Sequence, residues 1–189
     1  MHSQIIIGIT GTNGSGKTSV VRYLANKHNF KHFSAGEYFA NELRKLGKIV
    51  NRDNQINMAN NLRKKHGPDF VAKTLGGMAI NCGRNAVIES LRNSREVEGL
   101  RKLKNFHLIA VDANHETRYR RIVKRKSAKD RVSYDEFLTT EKREMRSDKT
   151  HEENMAKCIE MADFMIENNG TLDELHESVE NIINKIINA

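Results

Sequence analysis

Gly11-Thr12-Asn13-Gly14-Ser15-Gly16-Lys17-Thr18 is the stretch on which the fold turns. It fits the pattern G-x-x-x-x-G-K-[ST], a phosphate-binding loop, without a mismatch. Ile5-Ile6-Ile7-Gly8-Ile9 before it reads as a short, fully buried strand. Ser19 to His28 after it, with Val20, Val21 and Leu24 on one face, reads as a helix. Strand, glycine-rich loop and helix are the setting that gives the pattern meaning. Glycines let the backbone wrap closely round a polyphosphate and turn its N–H groups inward. The helix N-terminus behind them adds partial positive charge. Lys17 is expected to reach the β- and γ-phosphates, and the Thr18 hydroxyl to ligate Mg²⁺. At average glycine usage a chance match in a chain of this length arises about once in a hundred. Gly11 to Thr18, together with Ser19, are therefore expected to bind ATP.

The bulk properties suit that reading. A chain of 189 residues is one domain, large enough to bury a proper core. Hydrophobic residues make up 38% and charged residues 30%, and a single Pro leaves little room for linkers. The apolar run after Met1 is too short for a secretory leader, and no run is long enough to cross a bilayer, so a cytoplasmic protein without membrane contact is expected. Cys82 and Cys158 form no C-x-x-C pattern and read as two buried free thiols. His28 and His32 straddle a predicted helix end, which argues against a metal pair. The net charge of +8 admits nucleic acid as a partner, yet an enzyme handling phosphates needs the same cations.

Further along, strands are expected over 30–34, 85–88, 106–111 and 164–166. Helices are expected over 37–46, from an Asp53 cap to 66, over 69–81 opened by Pro68, from a Ser94 cap to 103, and over 115–126, 134–146, 151–161 and 171–187. Alternating strands and helices imply an α/β, three-layer α/β/α fold with a five-stranded, mostly parallel sheet. Ligand belongs at the carboxyl ends of the strands, where the loop sits.

The loop, the turn Ser34-Ala35-Gly36-Glu37, the basic helix before a polar insert and Asn169-Gly170-Thr171 together resemble the P-loop nucleoside-monophosphate kinase superfamily. Arg52-Asp53-Asn54 and Leu62-Arg63-Lys64-Lys65-His66-Gly67-Pro68 are similar to its uncharacterised adenylate-kinase-like and dephospho-CoA-kinase-like branch. The resemblance implies a single kinase domain over 1–189, with a core at 1–126 and 150–189. It implies a small helical lid with its flanking helix at about 127–149, and acceptor-binding helices at about 36–81. It makes Ser34, Gly36 and Glu37 the start of the acceptor site. Family members carry an Arg four residues after that Gly; here the position is Ala40, and Arg44, one turn on, is the substitute. Glu89-Ser90-Leu91-Arg92 matches the segment in which an acidic residue holds Mg²⁺ through water and an Arg holds the acceptor phosphate. Arg121 and Arg125 match the R-x-x-x-R helix leading to the lid, where four-residue spacing puts both guanidiniums on one face. Arg118, Arg120, Lys124 and Lys126 fit a solvated basic face. Lys129 and Arg131 would sit at the lid tip. Arg143 and Arg146 either approach the transferring phosphoryl group or play no such part, Glu141 and Glu144 simply pairing with neighbouring cations.

Phosphoryl transfer needs in-line placement and positive charge round the moving group, more than covalent chemistry from the protein. Lys17, Arg121 and Arg125 as catalytic cations, Mg²⁺ on Thr18 and Glu89, and Arg92 on the acceptor supply that inventory. The expectation is an ATP-dependent kinase of a small nucleotide, with a nucleoside monophosphate as acceptor. Two alternatives stay open: a dephospho-CoA-type kinase with Glu37 as its base, and an ATPase module acting on nucleic acid or a protein partner. Acceptor identity and oligomeric state lie beyond the residues.

Overall fold

The computed structural model describes residues 4–125, 133–147 and 149–188. Strands β1 (Ile6–Thr10), β2 (Lys31–Ser34), β3 (Ala86–Glu89), β4 (Phe106–Asp112) and β5 (Phe164–Glu167) form one sheet in the order β2-β3-β1-β4-β5. Every pairing is parallel, so the sheet has no antiparallel edge. Between the strands run α1 (Lys17–Lys27), α2 (Ala35–Lys45), α3 (Arg52–His66), α4 (Phe70–Asn81) and α5 (Ser94–Leu100). The remaining helices are α6 (His115–Arg125), α7 (Tyr134–Met145), α8 (Met155–Glu160) and α9 (Leu172–Ile187).

Side chains alternate across the sheet as the period of two requires. Ile7, Ile9, Val87, Ile109 and Val111 pack with Val20, Leu24, Val179 and Ile183 of α1 and α9. Ile6, Ala86, Ile88 and Leu108 face the other way, onto Phe39, Ala59, Leu75 and Leu100 of α2 to α5. Both faces are therefore covered, which gives the expected three layers. β1 lies between β3 and β4, so chain leaving its carboxyl end enters the crevice where strand order reverses. Gly11, Ser34, Glu89, Asp112 and Asn168 all stand at or just past that edge.

Several helix starts differ from expectation. Asn51, whose side chain accepts from the Asn54 N–H, caps α3 in place of Asp53. Asn93 caps α5 in place of Ser94, and α5 stops at Leu100. α8 begins at Met155, well after His151, because Asn154 is tied down outside the helix. Its N–H donates to Arg92 O at 2.8 Å and its Nδ2 to Ser147 O at 2.9 Å. The α4 start expected at Asp69 falls at Phe70. Cys158 is buried, and burial raises its thiol pKa, but Cys82 is only partly covered. Among the described residues no helix is long and apolar enough to cross a membrane.

Gly11 sits at φ +126°, and a Cβ there would run into the Val111 carbonyl of β4. Gly11→Ala is expected to destabilise the protein by at least about 2 kcal/mol in urea unfolding, with an unchanged m-value. Gly47, at φ +66° in open space, is the comparison: Gly47→Ala is expected to cost about 1 kcal/mol. Equal costs at the two positions would contradict this packing.

Candidate functional site

The loop between β1 and α1 bends through Gly11, Gly14 and Gly16, all in the left-handed region. Gly16 caps α1 with no side chain to satisfy the first-turn N–H groups, and no acidic residue stands in that turn. The positive end of α1 is left uncompensated, the usual arrangement for holding an anion. Asn168 Nδ2 donates to Ser15 O at 2.7 Å and steadies the loop from the β5 side. Among the described residues Ser15 Oγ is the one buried side-chain polar atom without a hydrogen-bond partner.

Lys17 Nζ turns back into the loop, donating to Gly11 O at 2.8 Å and Thr12 O at 2.5 Å. Burial, followed by the nearby Arg92 charge, pulls its pKa from 10.5 to about 7, against the opposite pull of Glu89. The Thr18 hydroxyl donates to Glu89 Oε1 at 3.1 Å. His32 Nε2 lies 3.1 Å from Glu89 Oε2. Burial pushes the Glu89 carboxyl up, but the His32 hydrogen bond and charge, Lys17 and Thr18 outweigh it. The net position is below the ordinary carboxylate range, so Glu89 is ionised at neutral pH. A hydroxyl and an ionised carboxylate side by side at the foot of a phosphate loop suit a hard divalent cation. His28 bonds Glu180 at 2.8 Å, away from His32. Among the described residues no cluster of three or more His, Cys, Asp or Glu could hold a metal by itself.

The basic helix α6 divides differently from expectation. Arg118 is not part of a solvated face; it is 2% exposed. Its guanidinium donates to Ala113 O at 2.7 Å, pairs with Glu141 and lies over the Phe137 ring, so it pins α7 to the strand edge. Arg121 Nη1 donates to Asn168 O at 2.9 Å and Ser15 O at 3.4 Å. Arg125 Nη2 reaches Asn13 Oδ1 at 3.3 Å. Arg121, Lys124 and Arg125 line a cleft of about 490 Å³ with Asn13, Lys17 and Thr18. Lys126, Lys129 and Arg131 lie outside the described residues.

A second cleft, of about 380 Å³, opens beside the first. Ser34, Gly36 and Glu37 line it, as do Arg92 and Glu89. Arg44 does not. It is exposed on α2 and turned to Glu37 and Asn41, at 2.7 and 2.6 Å. Ser34 also caps α2 by accepting from the Glu37 N–H. Arg143 lines neither cleft and pairs with Asp53 at 3.1 Å on the exposed side, while Arg146 is exposed at the end of α7. Glu141 and Glu144 do pair with cations, but with Arg118 for the first and Arg52 and Arg92 for the second, not with Arg143 or Arg146.

The cleft also holds residues to which the sequence reading gave no role. Arg52, Gln55, Ile56, Ala59 and Arg63 form one stripe of α3 along its wall. Their recurrence at i, i+3, i+4, i+7 and i+11 is the legible signal. Glu153 comes from the turn before α8 and has no such signature. Arg92 donates to Glu144 at 2.8 Å and Glu153 at 3.3 Å. These carboxylates raise the Arg92 pKa further despite its burial.

Comparison with known proteins agrees with this architecture. The chain belongs to the AAA_18 family, described as an AAA domain, whose profile matches residues 7–146. It is 30% identical over 187 residues to a UPF0200 protein of Methanococcus maripaludis strain C7, covering 97% of this chain and 98% of that protein. Its fold is similar to shikimate kinase from Acinetobacter baumannii in complex with shikimate. The TM-score is 0.60 at 17% identity, covering 97% of this chain and 94% of that one. A gluconokinase from Sinorhizobium meliloti superposes with TM-score 0.57 at 12% identity, covering 98% and 99%. The fold is that of the P-loop, nucleoside-monophosphate-kinase-like superfamily.

The depressed Lys17 pKa has a measurable sign. Between about 7 and 10.5 the unfolded chain holds a proton on Lys17 that the folded one lacks. This group's contribution to stability therefore rises with pH across that window, and its penalty is fully present below pH 7. A polyphosphate placed beside Lys17 raises its pKa again, so Mg·ATP binding at about pH 8 is expected to take up a large fraction of a proton. Calorimetry in buffers of different ionisation enthalpy reads this directly. Buffer-independent binding enthalpy at that pH would contradict it.

Proposed function

We propose that this protein is an ATP-dependent phosphotransferase that moves the γ-phosphoryl group of ATP to a small, nucleotide-type acceptor, a nucleoside monophosphate being the leading class. One observation carries the reading. The cleft beside the phosphate loop and the cleft along α3 meet, sharing Asn13, Glu89, Ser90, Arg92 and Arg125. Two ligands whose reacting ends meet at two arginines and one carboxylate suit what phosphoryl transfer requires.

In this reading Gly11 to Ser19 hold the triphosphate. Lys17 leaves its loop carbonyls for the phosphates, and Arg121 and Arg125 supply charge from α6. Thr18 directly, and Glu89 through water, would hold Mg²⁺, which contributes charge neutralisation on the phosphates. Ser34, Gly36, Glu37 and Arg92 bind the acceptor, with Arg44 bracing Glu37 from outside. The division into a core at 1–126 and 150–189, a lid and flanking helix at about 127–149 and acceptor helices at 36–81 belongs to the same proposal. Closing such a lid excludes water, which would otherwise take the phosphoryl group. A cytoplasmic location accords with these substrates.

A hydroxyl acceptor of the dephospho-CoA type is the second reading, and Ala40 favours it. The position where related kinases carry an arginine is filled here by a methyl group only 2% exposed. Glu37 and Glu89 line the acceptor cleft as carboxylates able to take a hydroxyl proton.

The deciding assay is ADP release from Mg·ATP with a panel of nucleoside monophosphates and dephospho-CoA. Acceptor-dependent release is expected, with Lys17→Ala lowering kcat/KM at least about a hundredfold. Arg92→Gln is expected to raise acceptor KM about tenfold or more and Mg·ATP KM by a smaller factor. Release indifferent to every small acceptor but stimulated by RNA or DNA would replace this reading with an ATPase acting on nucleic acid.

A further inference from the structure

His32 borders neither cleft, yet it holds the one carboxylate that borders both. It stands on the edge strand β2 in register with Val87, and Glu89 follows two residues on from Val87. Residues two apart share a face of a strand, so His32 and Glu89 meet on the side of the sheet that packs on α1. An ionised carboxylate can only accept, so the ring nitrogen 3.1 Å from Glu89 Oε2 carries the hydrogen. Oε1 takes the Thr18 hydroxyl, also at 3.1 Å. Bonds to both oxygens, one from a strand and one from a helix, fix the plane of the carboxylate.

The imidazole fills no core. Its side chain is 38% exposed against 11% for Glu89, and it belongs to neither apolar cluster. What it supplies is a donor. A hydrogen bond onto a group that holds a metal sets that group's orientation, and losing it weakens metal binding about ten- to a hundredfold. Three groups hold Glu89: His32, Lys17 and Thr18. Lys17 leaves for the phosphates in the proposed mechanism, and the Thr18 oxygen turns to the cation. His32 is the contact that stays through nucleotide binding. We propose that His32 is a positioning residue for Mg²⁺, orienting Glu89 toward the water through which the metal is held. This rests on the reading of Thr18 and Glu89 as the Mg²⁺ site.

The test uses the full chain with a non-hydrolysable ATP analogue, freed of metal, and titrates Mg²⁺ calorimetrically. Protein is kept in excess so that no free nucleotide competes for the cation. The unaltered protein is expected to bind a single Mg²⁺. His32→Ala, and His32→Leu as a variant that keeps bulk on the edge strand, are each expected to weaken it about tenfold, with metal-free affinity for the analogue unchanged. His32→Gln, which restores an N–H donor without a charge, should recover part of the loss. His28→Gln, at the ring bonded to Glu180, should match the unaltered protein. Unaltered Mg²⁺ affinity in both His32→Ala and His32→Leu overturns the inference and leaves the kinase reading intact. So does a loss of metal-free analogue binding as large as the loss of Mg²⁺, which marks a merely structural role. No Mg²⁺ bound by the unaltered protein overturns this inference together with the metal site on Thr18 and Glu89. Mg²⁺ affinity lost in His32→Ala, without turnover of any acceptor by the unaltered protein, overturns the kinase reading and leaves His32 in its role.

Discussion

The uncompensated N-terminus of α1 is the constraint round which the carboxyl edge of the sheet is built. Six other helices here start behind a side chain that takes up a first-turn N–H, namely Ser34, Asn51, Asn93, Ser133, Asn154 and Thr171, whereas α4, behind Asp69, has no such bond. α1 starts behind a glycine. Gly11 and Gly16 are held there by neighbours as much as by their own freedom, since a Cβ would strike the Val111 carbonyl or the Asn168 amide. Backbone amides, helix dipole and the buried Lys17 therefore concentrate positive potential at one spot.

That concentration is balanced by carboxylates placed with equal care. Glu89 stays ionised through His32, Lys17 and Thr18, although burial works against it. Burial likewise pushes Glu144 up, and Arg92 and Arg52 hold it down instead. Both acids are hydrogen-bonded on both oxygens, so neither swings freely in the site. α7 is bound to the rest of the molecule largely by such pairs: Glu141 to Arg118, Glu144 to Arg52 and Arg92, Arg143 to Asp53. Ser90, at φ +71°, holds a left-handed backbone where the two clefts meet. Non-glycine residues occupy that conformation only where the surroundings over-determine it, as at functional sites.

Much of this was legible in the residues. Apolar runs locate four of the five strands to within a residue or two, the edge strand β2 being the polar exception, and the loop motif places the anion site, because both are local patterns. Alternation of strand and helix conveys the parallel, two-sided sheet for the same reason. What escaped depends on partners distant in sequence. Asn51 and Asp53 are equally good caps on paper, and the choice is made by where α3 docks. Arg118 looks like any other cation of a basic helix until Glu141 and Phe137 arrive from α7 to bury it. Arg44 looks well placed from its helical spacing but turns outward to Glu37. The α3 stripe from Arg52 to Arg63 has a helical period that sequence does carry, but its pairing with Glu144 and Glu96 spans up to 92 residues and has no local trace.

The central claim is that the loop at Gly11–Thr18 delivers a phosphoryl group into the cleft lined by Arg52, Arg63 and Arg92. A crystal structure with a non-hydrolysable ATP analogue and Mg²⁺ tests it most directly. The account predicts the triphosphate in the loop, Lys17 Nζ moved from Gly11 O and Thr12 O onto the phosphates, and the terminal phosphate beside Arg92 at the mouth of that cleft. A triphosphate bound elsewhere, or one whose terminal phosphate points away from Arg92, would contradict it.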